Sequence, residues 1–140
     1  KFIIFSFYLF IFHILIINIK IMKYELEDRI VCFSKNIILL IREIRFECKI
    51  YNKDLDSLLN QLFRSSTSIA ANYMEATNAI SKNDFKNKIA IAKKEAKETG
   101  YWIDILFIYV KDKKVSLEIL LKESKEINLI LSSIFNKLRI

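Results

Sequence analysis

Few residues of this chain could carry out acid–base, nucleophilic or metal chemistry. Its one histidine, His13, lies in an apolar leading segment, and its two cysteines, Cys32 and Cys48, form neither a CxxC pair nor a metal-ligand spacing. Glu95 and Glu98 lie on one helix face, but a di-metal site in a bundle needs Glu-x-x-His pairs. The sequence has no glycine-rich phosphate loop and no Ser/His/Asp set. We therefore predict no catalytic, metal-binding or cofactor-binding residues, no cofactor, and no enzyme activity.

Lysines are the residues with the clearest potential to bind a ligand. Lys82, Lys86, Lys93 and Lys97 are spaced by four, seven and four residues, so on a helix they fall within a sector of about 60°. The formal net charge of +7 favours an anionic partner, either nucleic acid (RNA or DNA) or a lipid surface. These lysines and Arg64 are the predicted nucleic-acid-binding residues, which would hold phosphates without reading sequence. The alternative is an ordinary solvated lysine face.

A second set of polar residues follows one line on the second predicted helix, beside its apolar stripe. This polar spine consists of Gln61, Ser65, Ser68, Asn72 and Glu75. Polar groups at the edge of a core need partners, and Arg64, Glu95 and Glu98 are the candidates. The spine predicts either a ligand groove or a hydrogen-bond network that fixes helix register or a subunit interface.

Two adjacent aromatic residues, Tyr101 and Trp102, have two interpretations of their own. They could stack on nucleic-acid bases. The alternative, which we favour, is that they pack against neighbouring helices or across a subunit boundary, as large aromatic side chains in bundles do.

The composition indicates the elements that must position these residues. The chain has one Gly and no Pro, which disfavours folds built from strands and tight turns and favours long helices. Four segments each carry one apolar stripe at steps of four and three. Phe33, Ile69, Ile103 and Leu131 are members of the four stripes, one from each, and are predicted to be buried. The sequence therefore predicts an all-α, antiparallel, up-down-up-down four-helix bundle over residues 22–140, because short connections force sequential helices to be antiparallel.

Polar breaks mark the predicted helix boundaries. The first helix is predicted from about Tyr24 to Lys49, and Asp54 is the predicted N-cap of the second. Ser81, followed three residues later by Asp84, has the capping-box pattern and is predicted to open the third helix. Residues 111–114 are the predicted loop before the fourth. We expect both cysteines to behave as small apolar residues on the first helix, in a reducing compartment.

Residues 1–21 form an almost wholly apolar leader with two interpretations. The first Met is Met22, and the leader is built from residue types that AT-rich DNA yields when an untranslated stretch is translated. We favour the interpretation that the leader is such an artefact. The alternative is a membrane anchor, because residues 2–19 just reach the length that spans a bilayer.

Several stretches resemble a known bacterial family. SIAANYMEA at residues 68–76 resembles an S-I-x-x-N-x-x-E motif, and SKNDF at residues 81–85, IAIAKKEAKET at 89–99 and YW at 101–102 resemble S-K-x-D-F … K-E-A-x-E-T-x-Y-W. MKY and LEDR at residues 22–29 resemble the family start. The family is the four-helix-bundle group that includes ribosomal RNA intervening-sequence proteins and the accessory variability determinant of diversity-generating retroelements. The resemblance covers residues 22–140, and the leader has no counterpart in it.

The resemblance implies a small, cytoplasmic, non-catalytic bundle that assembles as a homo-oligomer, with a ring-shaped pentamer as the precedent. For the retroelement branch it also implies binding to nucleic acid and to a reverse transcriptase. Our first functional hypothesis is therefore a homo-oligomer that binds nucleic acid, chiefly RNA, non-specifically. The second is a protein-interaction adaptor or structural oligomer, for which the polar spine, Tyr101 and Trp102 would matter. The third is a membrane-anchored bundle.

Overall fold

The computed structural model describes the backbone of residues 2–138 and the side chains of residues 25–138. It contains four α-helices and one short 3₁₀ turn. The helices are α1 (Phe2–Glu47), α2 (Lys53–Thr77), α3 (Lys82–Leu106) and α4 (Lys114–Lys137), and the turn (Lys111–Lys113) precedes α4. No strand occurs over residues 2–138, so the predicted all-α class is confirmed.

Hydrogen bonds between the helices show how they are arranged. Along the α1–α2 pair, Arg45 binds Asp56 and Ser34 binds the carbonyl of Ser66, so a falling residue number on α1 meets a rising number on α2. The same antiparallel relation joins the other pairs. The contacts are Ser65–Thr99 and Glu75–Lys88 for α2–α3, Ala96–Ser124 and Lys93–Asn128 for α3–α4, and Glu47–Lys113 and Arg29–Glu126 for α1–α4. The four helices therefore form the predicted up-down-up-down bundle.

The predicted apolar stripes meet in one core. Phe33, Ile69, Ile103 and Leu131, one from each helix, are at most 2% exposed. The small middle of the α3 stripe, Ala92 and Ala96, is fully buried and lets neighbouring helices approach closely. Each large aliphatic side chain in this core stabilises the fold by roughly 1.5–3 kcal/mol. The core therefore holds α3 in a fixed rotation, which determines where its lysines lie.

The helix caps were predicted partly correctly. The Ser81 hydroxyl accepts the backbone N–H of Asp84 at 3.1 Å, which confirms Ser81 as the N-cap of α3. The prediction of Asp54 as the N-cap of α2 was wrong. Asn52 is the cap, and its Oδ1 accepts the backbone N–H groups of Asp54 and Leu55 at 3.0 Å. Asp54 therefore lies in the first turn, where its charge faces the positive end of the helix dipole.

The cysteines differ from the prediction. Cys32 and Cys48 are both free and exposed, so neither acts as a packed apolar residue. Cys48 lies just beyond the end of α1 at Glu47, because the helix ends two residues earlier than predicted. Its thiol donates to the carbonyl oxygen of Ile50 at 3.0 Å, within the connection to α2.

The leader belongs only in part to the described structure. The backbone of residues 2–21 continues α1 upstream of the predicted start at Tyr24. The side chains of residues 1–24 lie outside the described part, so both interpretations of the leader stay predictions. Between residues 25 and 138, no helix has a stretch that is long and apolar enough to cross a membrane.

Candidate nucleic-acid interface

The four predicted lysines lie on the side of α3 that faces α4. The Nζ atoms of Lys93 and Lys86 lie 4.6 Å and 5.7 Å from the ring centroid of Phe135 on α4. A lysine ammonium over an aromatic face is attracted by the ring quadrupole, while its stem covers apolar surface. Lys86 and Lys93 are therefore held at the groove between the two helices.

The other two lysines extend this surface at both ends. Lys82 is the exposed first residue of α3, and Lys97 is exposed one turn beyond Lys93. Lys97 lines a hollow of about 530 Å³ in the groove, together with Lys125 of α4. We call Lys82, Lys86, Lys93 and Lys97 the lysine face.

Sequence reasoning missed Lys125. On α4 it lies among alternating charges with no spacing pattern of its own. It joins the lysine face because the hydrogen bond from the Ser124 hydroxyl to the Ala96 carbonyl, 2.8 Å long, sets α4 beside α3 at the level of Lys97. One carboxylate, Asp104, lines the same hollow. The groove therefore carries more positive than negative charge.

Arg64 is not brought together with the lysines. It lies at the seam between α2 and α3, where its Nη2 donates to Glu98 Oε1 at 3.0 Å and its Nε donates to Gln61 Oε1 at 3.3 Å. The second bond makes Arg64 a partner of the polar-spine residue Gln61, and the first connects it to Glu98 on α3. They also commit the guanidinium to the α2–α3 seam, on the side of α3 that faces away from the groove with α4.

The polar spine lies along the α2–α3 seam. Its buried member, Ser65, is hydrogen-bonded to the Thr99 hydroxyl at 2.9 Å. The Asn72 amide donates to the carbonyl and hydroxyl oxygens of Ser68, and Glu75 forms an ion pair with Lys88 of α3. This ion pair raises the pKa of Lys88. The Ser65–Thr99 bond and the Glu75–Lys88 ion pair connect α2 to α3, whereas the bonds of Asn72 lie within α2.

Glu95 is the one buried carboxyl group among the described residues. Its side chain belongs to a residue only 7% exposed, and its Oε2 has no hydrogen-bond partner. Burial raises its pKa, the charge of Glu98 raises it further, and Arg64 and Lys94 act in the opposite direction. The Glu95 carboxyl group therefore holds a proton to higher pH than an exposed glutamate does. Residues 25–138 contain no histidine that could exchange a proton with it.

Tyr101 and Trp102 have different surroundings. Their rings make an edge-to-face contact, with centroids 4.8 Å apart and planes at 62°. The Trp102 Nε1 donates to Glu98 at 3.2 Å, and the ring packs against the core. Tyr101 is 56% exposed and lines the same hollow as Lys97. The packing interpretation therefore fits Trp102, whereas the Tyr101 side chain is exposed and accessible to a binding partner.

Helices α1 and α4 are joined by ion pairs and also carry exposed apolar side chains. Lys113 binds Glu43 and Glu47 at one end of the α1–α4 seam, and Arg29 binds Glu123 and Glu126 farther along. These two ion-pair groups raise the pKa values of Lys113 and Arg29. The two helices joined by these ion pairs also carry four large apolar side chains that are exposed, two on α1 and two on the first two turns of α4. We call this set the apolar flank: Leu39, Phe46, Val115 and Ile119, which are 60–92% exposed.

Over residues 25–138, no group of three or more His, Cys, Asp or Glu side chains could hold a metal ion.

Comparison with known proteins adds two findings. Residues 23–133 match the family described as 23S rRNA-intervening sequence protein. The chain is also similar to a crystal structure of a protein of unknown function from the S23 ribosomal protein family of Bacteroides thetaiotaomicron. The two chains are 36% identical, the match covers 79% of this chain and 97% of the other, and the TM-score is 0.69. No protein with curated function matches the chain.

Proposed function

We propose, from the premise that this chain belongs to the 23S rRNA-intervening sequence protein family, that it is a non-catalytic, cytoplasmic homo-oligomer that binds RNA without sequence preference. The lysine face would supply the binding surface. The observation that carries the proposal is the positioning of Lys86 and Lys93 over the α3–α4 groove by Phe135.

The chemistry of this face supports phosphate binding. Lysine ammonium groups are point charges that attract phosphate oxygens without distinguishing bases. The face follows α3 over about 22 Å from Lys82 to Lys97, at 1.5 Å per residue. Lys125 adds a further positive charge from α4 beside Lys97. Such a surface would bind several consecutive phosphates of one strand.

Arg64 is not part of this proposal. Its guanidinium already pairs with Glu98 and bonds to Gln61. A phosphate there would have to compete with a carboxylate that the Trp102 indole also binds. We therefore assign Arg64 to the contacts between α2 and α3.

Self-association is proposed through the apolar flank. Exposed apolar patches on a folded chain mark interaction surfaces, and the four flank residues are all large. Both signs of charge border the flank, from Lys35 and Arg42 to Asp28 and Glu118. Mixed charges suit a second copy of the chain better than a polyanion. The family resemblance implies five copies.

A second candidate function is a structural oligomer or adaptor that binds another protein and no nucleic acid. The apolar flank is the observation that favours it. For this candidate the lysine face would be only a solvated surface.

The proposal is tested by reversing charge on the lysine face. Lys82, Lys86, Lys93 and Lys97 are changed together to Glu, and binding to a labelled RNA is measured by fluorescence anisotropy at several salt concentrations. We expect wild-type affinity to fall steeply with salt, because phosphate binding releases counterions. The variant should lose at least about 100-fold in affinity at low salt, since four of the phosphate contacts would become repulsive.

A matched control separates a local effect from the change in net charge. Lys49, Lys53, Lys94 and Lys111 are also exposed and lie outside the lysine face and the apolar flank, and their change to Glu alters the net charge by the same amount. This control should bind RNA within about fivefold of wild type. Equal losses in both variants, or RNA binding that survives the lysine-face variant, would contradict the proposal and favour the structural oligomer.

A further inference from the structure

The hollow in the α3–α4 groove has a neutral, closely packed floor. Its volume is about 530 Å³, within the range of small-ligand sites. Ala96 and Gly100 of α3 and Ser124 of α4 line it. The Ser124 hydroxyl donates to the Ala96 carbonyl at 2.8 Å, so the polar atoms of this contact are already paired. The floor therefore favours an uncharged surface of a ligand.

One wall of the hollow is an exposed aromatic ring that is supported from one side. Tyr101 lies edge-to-face with Trp102 at 4.8 Å. Trp102 is held in turn by the bond from its Nε1 to Glu98, and Glu98 binds Arg64. This chain of contacts restricts Tyr101 while leaving more than half of it exposed. A supported and exposed ring is suited to stacking on a flat ligand ring.

The rim of the hollow carries cations and one hydrogen-bond acceptor. Lys97 and Lys125 provide positive charge from the two helices, and Asp104 provides a carboxylate. The Asn128 amide, also on the rim, is fixed by donating to the Lys93 carbonyl at 2.8 Å. A ligand that matches all of these groups has anionic groups, a flat ring and N–H donors. A nucleotide unit of RNA has this combination.

We propose that the hollow holds one unpaired nucleobase of RNA. The base would stack on Tyr101 and donate an N–H group to Asp104, and its flanking phosphates would bind Lys97 and Lys125. This inference rests on the proposed function and adds a preference for single-stranded over duplex RNA. A base in a duplex is stacked and paired within its own helix, and so it cannot enter the hollow.

The test compares one RNA sequence as a single strand and as a duplex, using the full chain and fluorescence anisotropy at fixed salt. Wild type should bind the single strand about tenfold more tightly than the duplex. Tyr101→Ala should lower single-strand affinity by about tenfold, or about 1.4 kcal/mol, and leave duplex affinity unchanged, because only the single strand loses a base stack. Tyr101→Phe should retain the affinity, since the ring is kept. A fluorescent base analogue in the strand should change its emission on binding to wild type and not to Tyr101→Ala.

Tyr109 provides the matched control. It is another exposed tyrosine, 40% exposed, and lies beyond the end of α3 outside the hollow. Tyr109→Ala should leave both affinities unchanged. Equal binding of single strand and duplex by wild type, with no effect of Tyr101→Ala, would overturn this inference while the lysine-face variant could still confirm RNA binding. Failure of wild type to bind any RNA would overturn both proposals.

Discussion

At the scale of single residues, Glu95 is the side chain whose surroundings suit its charge least. It is buried at the α2–α3 seam, has an unpartnered oxygen, and lies near the negative charge of Glu98. An ionised carboxylate in such a place costs free energy, and protonation relieves that cost. Glu95 therefore makes stability depend on pH.

We predict that Glu95→Gln stabilises the protein at neutral pH. The pKa of Glu95 in the folded state is raised above its ordinary value of 4.5, so its stabilising contribution is complete below pH 4.5 and is lost as pH rises through the folded-state pKa. Gln stays neutral at every pH. The free energy of unfolding of the variant should exceed that of wild type by about 1 kcal/mol at pH 7, and the difference should vanish below about pH 4.5.

Urea denaturation at several pH values measures this difference. Glu118→Gln is the matched control, because Glu118 is exposed on α4 and its ion pair with Lys114 is long, at 3.8 Å. The control should differ from wild type by less than about 0.5 kcal/mol. A Glu95→Gln variant that is less stable than wild type at pH 7 would show that the ionised carboxylate makes a favourable contact.

At the scale of the elements, the contact between α3 and α4 explains why Gly100 occurs within a helix. Gly in a helix interior costs up to about 1 kcal/mol relative to Ala. A Cβ atom at Gly100 would lie 3.2 Å from Ser124 Oγ, which is closer than ordinary contacts. The Ser124 hydroxyl is fixed by its bond to Ala96 and cannot move away without weakening it. Alanine at position 100 would therefore gain helix propensity but crowd Ser124, and these two effects on stability oppose each other.

The effect of Gly100→Ala should consequently depend on Ser124. In the wild-type background we expect a change in the free energy of unfolding of less than about 0.5 kcal/mol. In the Ser124→Ala background the crowding is gone, and the same substitution should stabilise by about 1 kcal/mol. A double-mutant cycle measured by urea denaturation gives the coupling between the two positions. Equal effects of Gly100→Ala in both backgrounds would contradict this prediction, because they would show that the new Cβ atom does not crowd Ser124 Oγ.

At the scale of the whole molecule, the contacts between α1 and α4 differ in kind from those between the other three pairs of neighbouring helices. Hydrogen bonds between buried groups cross the α1–α2, α2–α3 and α3–α4 seams, whereas the side-chain contacts described between α1 and α4 are two groups of ion pairs that are partly or fully exposed, and the apolar flank lies on these same two helices. Burying the flank against a second copy would remove large apolar side chains from water. The position of the flank therefore predicts which surface an oligomer uses.

We predict that Leu39→Glu lowers the oligomeric state without unfolding the chain. Leu39 is 60% exposed in the single chain, so the substitution leaves the core intact but introduces an uncompensated charge into the proposed contact. Sedimentation velocity should show wild type as an oligomer and the variant shifted to the monomer. Ile80→Glu is the matched control, because Ile80 is fully exposed at the α2–α3 turn, and it should keep the wild-type mass. An unchanged mass for Leu39→Glu would place any oligomer contact elsewhere.

The sequence by itself determined the helices, their buried stripes and the shared side of α3 on which the four lysines lie. These features depend on the repeat of about 100° per residue, which is a local property of one helix. The cap at Ser81 was predictable for the same reason, since its partner lies three residues away. The cap of α2 was not, because Asn52 and Asp54 are both good cap residues and the start of the helix decides between them.

Only the tertiary structure decided which side chains from different helices meet. The placement of Lys86 and Lys93 over Phe135, of Lys125 beside Lys97, and of Arg64 against Glu98 depends on the rotation and register of helices that are distant in sequence. The spacing of residues in the sequence determines on which side of its own helix a residue lies. It gives no information on how far the neighbouring helix is shifted along its axis. Packing of the core sets that position, and so the hollow at Gly100 exists only in the folded bundle.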